Sequence, residues 1–302
     1  MIVSRRITAI AELNASLATH ALIHSAFRLH VVRNRGVVSE DRLSLRAFER
    51  KGHLGRPVLT VVLEGRARLE CAGRSVWLEP GDVSLLPHKD AVVMRQDGPR
   101  FESLAIEWEP GTLGPRPRGW QTSRLPRGSV ERLRSHVRAV SDAGLDARTA
   151  DPCASSARFA TIVALLRSWG APFERVGAGA LVDDVPHHMT ALSRALDATL
   201  SRLAEGPTMV DLDHALGVTP RHLQRLVTSF HERYGFNATT WRDALNRRRL
   251  LLGASMMTAV GATTERVAIA MGYGSATAFC RALSQARLPS PSSVLRIVDD
   301  LV

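Results

Sequence analysis

The run Thr208-Met209-Val210-Asp211-Leu212-Asp213-His214-Ala215-Leu216-Gly217-Val218-Thr219-Pro220-Arg221-His222-Leu223-Gln224-Arg225-Leu226 decides how this 302-residue chain is read. Thr208 can cap a helix, and Asp211 three residues on makes the start resemble a capping box. Gly217 ends that helix. Thr219 then supplies a cap and Pro220 a residue suited to the first turn of a second helix. The spacing of Leu212, Leu216, Leu223 and Leu226 packs the two helices together and leaves Arg221, Gln224 and Arg225 outside. Two short helices, a glycine turn and outward arginine and glutamine are the layout of a major-groove reader.

The layout recurs about 55 residues later. Thr263 caps a helix with Val267, Ala268 and Met271 on one face, and Gly272-Tyr273 turns the chain. Ser275 to Ser284 forms a second candidate recognition helix with Phe279 and Leu283 inward. The two units span about 208–228 and 263–285, with a predicted linking helix from about Thr239 to Met257. One such pattern arises often by chance, whereas two joined by a helix are rare.

These residues resemble the AraC/XylS family of transcription regulators over 189–298. The likeness rests on the run from Leu216 to Leu226, on Arg249-Leu250, Val267-Ala268, Gly272-Tyr273, Phe279-Cys280-Arg281-Ala282-Leu283 and on Pro289-Ser290-Pro291-Ser292. The resemblance implies that both second helices enter successive major grooves of double-stranded DNA, with half-sites about 10 base pairs apart. By position, the DNA-binding candidates are Thr219, Arg221, His222, Gln224 and Arg225 in the first unit. In the second they are Ser275, Ala276, Thr277, Cys280 and Arg281. Arginine can fork onto guanine O6 and N7, and glutamine onto adenine N6 and N7. The small residues of the second unit discriminate less, so the first is expected to carry more sequence information. Gly253 stands where the family favours alanine, at a cost of about 1 kcal/mol in helix propensity. Asp213 stands where the family favours a small residue, and the chain before Trp241 predicts a longer loop through Tyr234-Gly235-Phe236-Asn237.

Ahead of these helices the period changes. From about 42 to 110 apolar residues alternate, as in Leu59, Val61 and Leu63, and then in Ala67, Leu69 and Cys71. Further short strands are predicted at Ser75 to Leu78, Val83 to Leu86, Ala91 to Arg95 and Glu102 to Trp108. Turns are predicted at Glu64-Gly65-Arg66, Ala72-Gly73, Pro80-Gly81-Asp82 and Asp97-Gly98-Pro99. The stretch Leu63-Glu64-Gly65 and the run from Leu78 to Pro87 are similar to the cupin-like barrel that many AraC/XylS regulators place first. Residues 110–128, rich in Pro, Gly and Arg, predict a linker. Val130, Leu133, Val137 and Val140, and then Phe159, Ile162, Leu166 and Trp169, predict two helices whose stripes suit either a core or a dimer seam. Residues 170–188 break the pattern again, and Met189, Leu192, Leu196, Leu200 and Leu203 open the last helical region. The fold class expected is therefore α+β in two domains. A cupin-like sensor barrel (1–115) is followed by a helical linker and dimerisation segment (116–188) and an all-α double helix-turn-helix domain (189–302).

Composition sets the bounds. Forty basic residues against 29 acidic ones, a net charge of +11, suit a polyanionic partner without specifying it. Cys71, Cys153 and Cys280 are odd in number and far apart, so neither a disulfide framework nor a zinc site follows. Ser4-Arg5-Arg6 has the look of an export signal, but Glu12 and Asn14 break the apolar run it would need. No apolar run is long enough to span a membrane, and a cytoplasmic protein is expected. His53 and His88 lie far apart without an H-x-H pair, so the rival reading as a cupin metalloenzyme lacks ligands; no catalytic residues, metal or cofactor are expected. A barrel that only docks or dimerises is the third reading. The expectation adopted is a homodimeric, effector-responsive activator that binds promoter DNA and meets RNA polymerase.

Overall fold

The computed structural model describes residues 1–38, 55–71, 73–88, 92–143, 152–175, 185–234 and 240–294. The strand periodicity before residue 55, His53 and the predicted loop residues Gly235, Phe236 and Asn237 lie outside them, whereas Tyr234, expected to open that loop, is instead the fully buried last residue of the helix before it.

Eight strands of the described residues form one antiparallel sheet: β1 Ile2–Ile10, β2 Ala15–Ile23, β3 Phe27–Arg35, β4 Val58–Cys71, β5 Arg74–Leu78, β6 Asp82–Leu86, β7 Val92–Trp108 and β8 Gln121–Arg124. Their order is β1-β2-β3-β7-β4-β6-β8, with β5 beside β4. The first three strands are not among those expected from the sequence. They fold as a meander in which Arg5 pairs with His20 and His20 with Val31. Two predicted turns also prove to lie inside long strands. Around Glu64-Gly65-Arg66 the β4–β7 register shifts, and Gly65 takes φ +73°. A Cβ on Gly65 would lie 2.3 Å from the Arg100 carbonyl oxygen, so only glycine lets the two strands approach there. Asp97-Gly98-Pro99 lies within β7 rather than between two strands. The turn at Pro80-Gly81-Asp82 is where the sequence placed it, closed by the Asp82 N–H donating to the Glu79 carbonyl.

Helices α1 Ser129–Ala143 and α2 Pro152–Ser168 pack on the sheet. Leu133, Val137, Val140, Phe159, Ile162 and Leu166 enter one buried core with Leu29, Val31, Leu59, Val61, Leu104 and Trp108. Of the two uses these stripes suit, core is the one the residues serve here. Burial stabilises by roughly 25 cal/mol per Å² of apolar surface removed from water. On α1, Arg134 donates to Glu102 at 2.9 Å and pairs with Glu64, while Arg33 donates to the other Glu102 oxygen at 2.5 Å.

The stretch 110–128 is irregular over most of its length, as its Pro and Gly content predicts, but it is packed against the sheet rather than free. Leu113 is fully buried, Trp108 Nε1 donates to the Gly114 carbonyl at 3.0 Å, and the Glu174 N–H donates to the Leu113 carbonyl at 2.7 Å. Backbone polar groups that leave the sheet ladder thus still find partners. The same stretch supplies β8, which pairs with β6.

Six further helices follow among the described residues: α3 His187–Leu200, α4 Met209–Leu216, α5 Pro220–Tyr234, α6 Trp241–Met256, α7 Thr264–Ala270 and α8 Ala276–Gln285. Their core is continuous with one edge of the sheet. Ile2, Ile10, Leu17, Ala21 and Ile23 are buried in one cluster with Met189, Leu192, Leu196 and Leu200 of α3, and the cluster continues through Leu212, Leu223 and Phe230. At its edge stands Asp197 of α3. Its carboxylate accepts from the Ser4 hydroxyl at 2.9 Å, the Arg5 N–H at 2.8 Å and Arg6 Nε at 2.7 Å, all on β1. Ser4-Arg5-Arg6 is therefore part of a strand that holds the helices to the sheet. Beside it, Arg248 of α6 is half-buried along its length, but its Nε and Nη2 atoms are buried without hydrogen-bond partners. Burial, with repulsion from Arg6, pushes the Arg248 guanidinium down to about 9, and Asp197 only partly offsets them. A second tie runs from the Val38 N–H to Thr258 Oγ1 at 2.8 Å.

Candidate nucleic-acid interface

Local capping builds the first helix pair. Asp211 accepts from both the N–H and the hydroxyl of Thr208, at 2.6 and 2.8 Å, and these bonds hold its carboxyl below the usual range. Gly217 ends α4 at φ +63°, donating to the Asp213 carbonyl, a conformation in which a Cβ is strained. Thr219 Oγ1 accepts from the His222 N–H at 3.4 Å and opens α5. Leu212 and Leu223 are fully buried between the two helices.

That packing turns one side of α5 outward. Thr219, Arg221, His222 and Arg225 are exposed, and Arg225 Nη2 lies 3.4 Å from His222 Nδ1. Gln224 is half-buried and reaches along the helix to Thr228 Oγ1 at 3.4 Å. Nothing in the structure explains the Asp213 carboxylate.

The second pair repeats the design. Thr263 Oγ1 accepts from the Arg266 N–H at 3.3 Å at the start of α7, and Val267, Ala268 and Met271 are buried. Gly272 turns the chain at φ +76°, and Ser275 Oγ caps α8 by accepting from the Ala278 N–H at 3.2 Å. Phe279 and Leu283 are buried. Ser275, Thr277, Cys280 and Arg281 are exposed, and Ala276 is half-buried. Between the pairs α6 spans Trp241–Met256, with Thr240 Oγ1 accepting from the Asp243 N–H as its cap.

Each candidate residue thus lies on the first two turns of α5 or α8 or at the cap before them. Their exposure is that of the whole chain, so the sheet docked on α3 leaves both helix faces open. Cys280 and Arg281 with small neighbours give α8 fewer long hydrogen-bonding side chains than α5. The sequence-derived set omits Ala278, Ser284 and Gln285, which are exposed within three or four residues of Arg281 on α8. Helical period was the signal available for them. It also omits Asp197 and Arg248, whose roles come from contacts across the seam that no local pattern announces. Among the described residues, no group of three or more His, Cys, Asp or Glu side chains is placed to hold a metal ion. No helix there is long and apolar enough to cross a membrane.

No protein-family model matches the chain, and no curated protein matches it. Solved structures do match. The AraC-like transcriptional activator CuxR is 12% identical with a TM-score of 0.36, covering 84% of this chain and 86% of its own. ToxT from Vibrio cholerae, bound to (E)-4-(8-methylnaphthalen-1-yl)but-3-enoic acid, is 13% identical with a TM-score of 0.35, covering 90% of this chain and 99% of its own. A putative glyoxylate induced protein from Pseudomonas aeruginosa is 13% identical over 36% of this chain and 41% of its own, with a TM-score of 0.28.

Proposed function

We propose that the chain is a sequence-specific DNA-binding transcription regulator of the AraC/XylS type. The observation that carries this reading is the duplicated arrangement of capped helix pairs. In each, a buried apolar face leaves the first turns of the second helix uncovered, with Arg221 and Arg225 on α5 and Arg281 on α8. Each second helix enters a major groove, and α6 holds the two apart. The two faces differ as the side chains do. Arg221, Arg225 and Gln224 read base edges, with Thr219 and His222 at the backbone, while Ser275, Ala276, Thr277, Cys280 and Arg281 hold register.

In this reading residues 189–302 form the double helix-turn-helix domain. Residues 1–115 form a cupin-like effector domain, and 116–188, read from the sequence as a helical linker and dimerisation segment, adds β8, α1 and α2 to that domain's sheet and core before the chain reaches the helix pairs. The regulator acts as a homodimeric activator that answers a small-molecule effector and contacts RNA polymerase. The test starts with selection of bound sequences from random DNA by the full chain. Replacing Arg225 with alanine is expected to cost about 1 to 3 kcal/mol on the selected operator and to relax preference at one base pair. Wild-type affinity with an unchanged footprint would overturn the assignment. Arg281→Ala is expected to weaken binding less and with little change in preference; the reverse ranking would refute the division of labour.

A further inference from the structure

We propose that two glycines, Gly253 and Gly272, set the offset between the two helix pairs, so that the chain accepts half-sites at one spacing only. This rests on the reading of α5 and α8 as DNA readers and adds what positions them. The long helix α6 is not the whole connection. The turn between α7 and α8 sits directly against the 3-10 turn Leu203–Glu205 that leads into α4. A Cβ on Gly272 would lie 2.1 Å from the Leu203 carbonyl oxygen and 2.9 Å from Arg249 Nη2. Here the backbone of the second pair meets the backbone entering the first, with no side chain between to act as a cushion. Arg249 of α6 closes the junction, its guanidinium 5.8 Å from the Tyr273 ring centre.

Gly253 makes the other close approach. It lies inside α6, where glycine costs helix stability, and the sequence offers no reason for it. A Cβ there would lie 2.7 Å from both Cε2 and Cζ of Phe279 and 3.3 Å from Met271 Cγ. Phe279 is the buried anchor of α8, fully enclosed and 5.2 Å from the Tyr273 ring, so the ring has little room to swing aside. To return to ordinary contact at 3.4 Å, the ring and the helix it anchors would retreat by roughly 0.7 Å in a close-packed interior. The whole normal range of a hydrogen bond, about 2.7 to 3.2 Å, is narrower than that displacement. Gly253 is accordingly a positioning residue. It touches no DNA, but it decides how deep α8 sits on α6 and where Arg281 stands relative to Arg225.

The test uses the full chain and an operator selected from random DNA, with fragments carrying the first half-site alone or both half-sites moved apart or together by one base pair. Wild type is expected to lose about tenfold or more in affinity when the spacing changes by one base pair. Gly253→Ala is expected to lose hydroxyl-radical protection of the second half-site and about tenfold in affinity for the full operator, while binding the first half-site fragment within about twofold of wild type. Adding Phe279→Leu, which withdraws the ring edge, is expected to restore the second footprint. If Gly253→Ala alone does not stay folded, the double variant carries the test: two-site binding near the wild-type level supports the proposal, and its loss overturns it. Full protection of both half-sites by Gly253→Ala, equal loss on half-site and full operator, or wild-type tolerance of altered spacing would each overturn it. If the wild-type chain enriches no sequence at all, the regulator reading falls, and the spacing claim with it.

Discussion

Replacing Asp197 with alanine should loosen the attachment of the C-terminal helices to the sheet. β1 ends the strand order, and Asp197 takes its outward Arg5 N–H together with the Ser4 hydroxyl and Arg6 Nε. A hydrogen bond to a charged group contributes about 1.5 to 3 kcal/mol on its own. Three bonds to one carboxylate do not add, because they share one desolvation cost. Removing one partner of a buried pair costs about 3 to 5 kcal/mol. The side chains of Arg6 and Asp197 keep 19% and 12% exposure, which favours the lower end, and the expected loss is about 3 kcal/mol. The loss should be sharpened by Arg248, which would then face Arg6 without the offsetting Asp197 charge. Asp197→Asn keeps an acceptor oxygen and should cost about half as much. Urea unfolding of both variants measures the cost, and amide exchange at Arg5 reports the seam itself, expected to quicken in Asp197→Ala before the core of the sheet does. A loss under about 1 kcal/mol, or an asparagine variant as damaged as the alanine one, would refute the reasoning.

Arg248→Met should raise stability at neutral pH, because it replaces a guanidinium whose Nε and Nη2 are buried without hydrogen bonds by an apolar chain. The folded-state value of about 9 lies below the ordinary value, so the unfolded chain holds this proton more tightly. Wild-type stability from this group therefore rises as pH climbs past about 9, and the advantage of Arg248→Met should shrink there; a gap independent of pH would contradict the assignment. Cys280 is exposed on α8 and Cys71 only half-buried on the sheet. Iodoacetamide should modify Cys280, selected operator DNA should slow that reaction and leave Cys71 unaffected, and modified protein should lose protection of the second half-site. Equal Cys280 rates with and without operator would place α8 away from DNA.

The helix pairs are legible in the sequence because their signals are local. Thr208 with Asp211, Gly217 with Pro220, and Thr263 and Ser275 ahead of their helices each act within one turn, and Leu212, Leu223, Phe279 and Leu283 recur at the helical period. The strands of residues 2–35 are not legible in the same way. On the face of β1 that meets α3, Ile2 and Ile10 flank Ser4, Arg6 and Thr8, and these three read as a solvated edge until Asp197 is placed beside them. The stretch 110–128 escapes the sequence for a related reason: Pro and Gly do predict an irregular path, but whether it packs depends on Trp108 and on the segment around Phe173.

Periodicity and capping along the chain are enough to establish two capped helix pairs, their joining helix and the outward placing of Arg221, Arg225 and Arg281, because each signal acts over a few residues. Contacts between distant parts of the chain settle the rest. Asp197 meets Ser4 across a separation of 193 residues, and Gly253 meets a ring on another helix. Side-chain period carries no record of which surface will cover a face. A polar stripe on β1 and a glycine inside α6 acquire their meaning only when the opposing surface arrives.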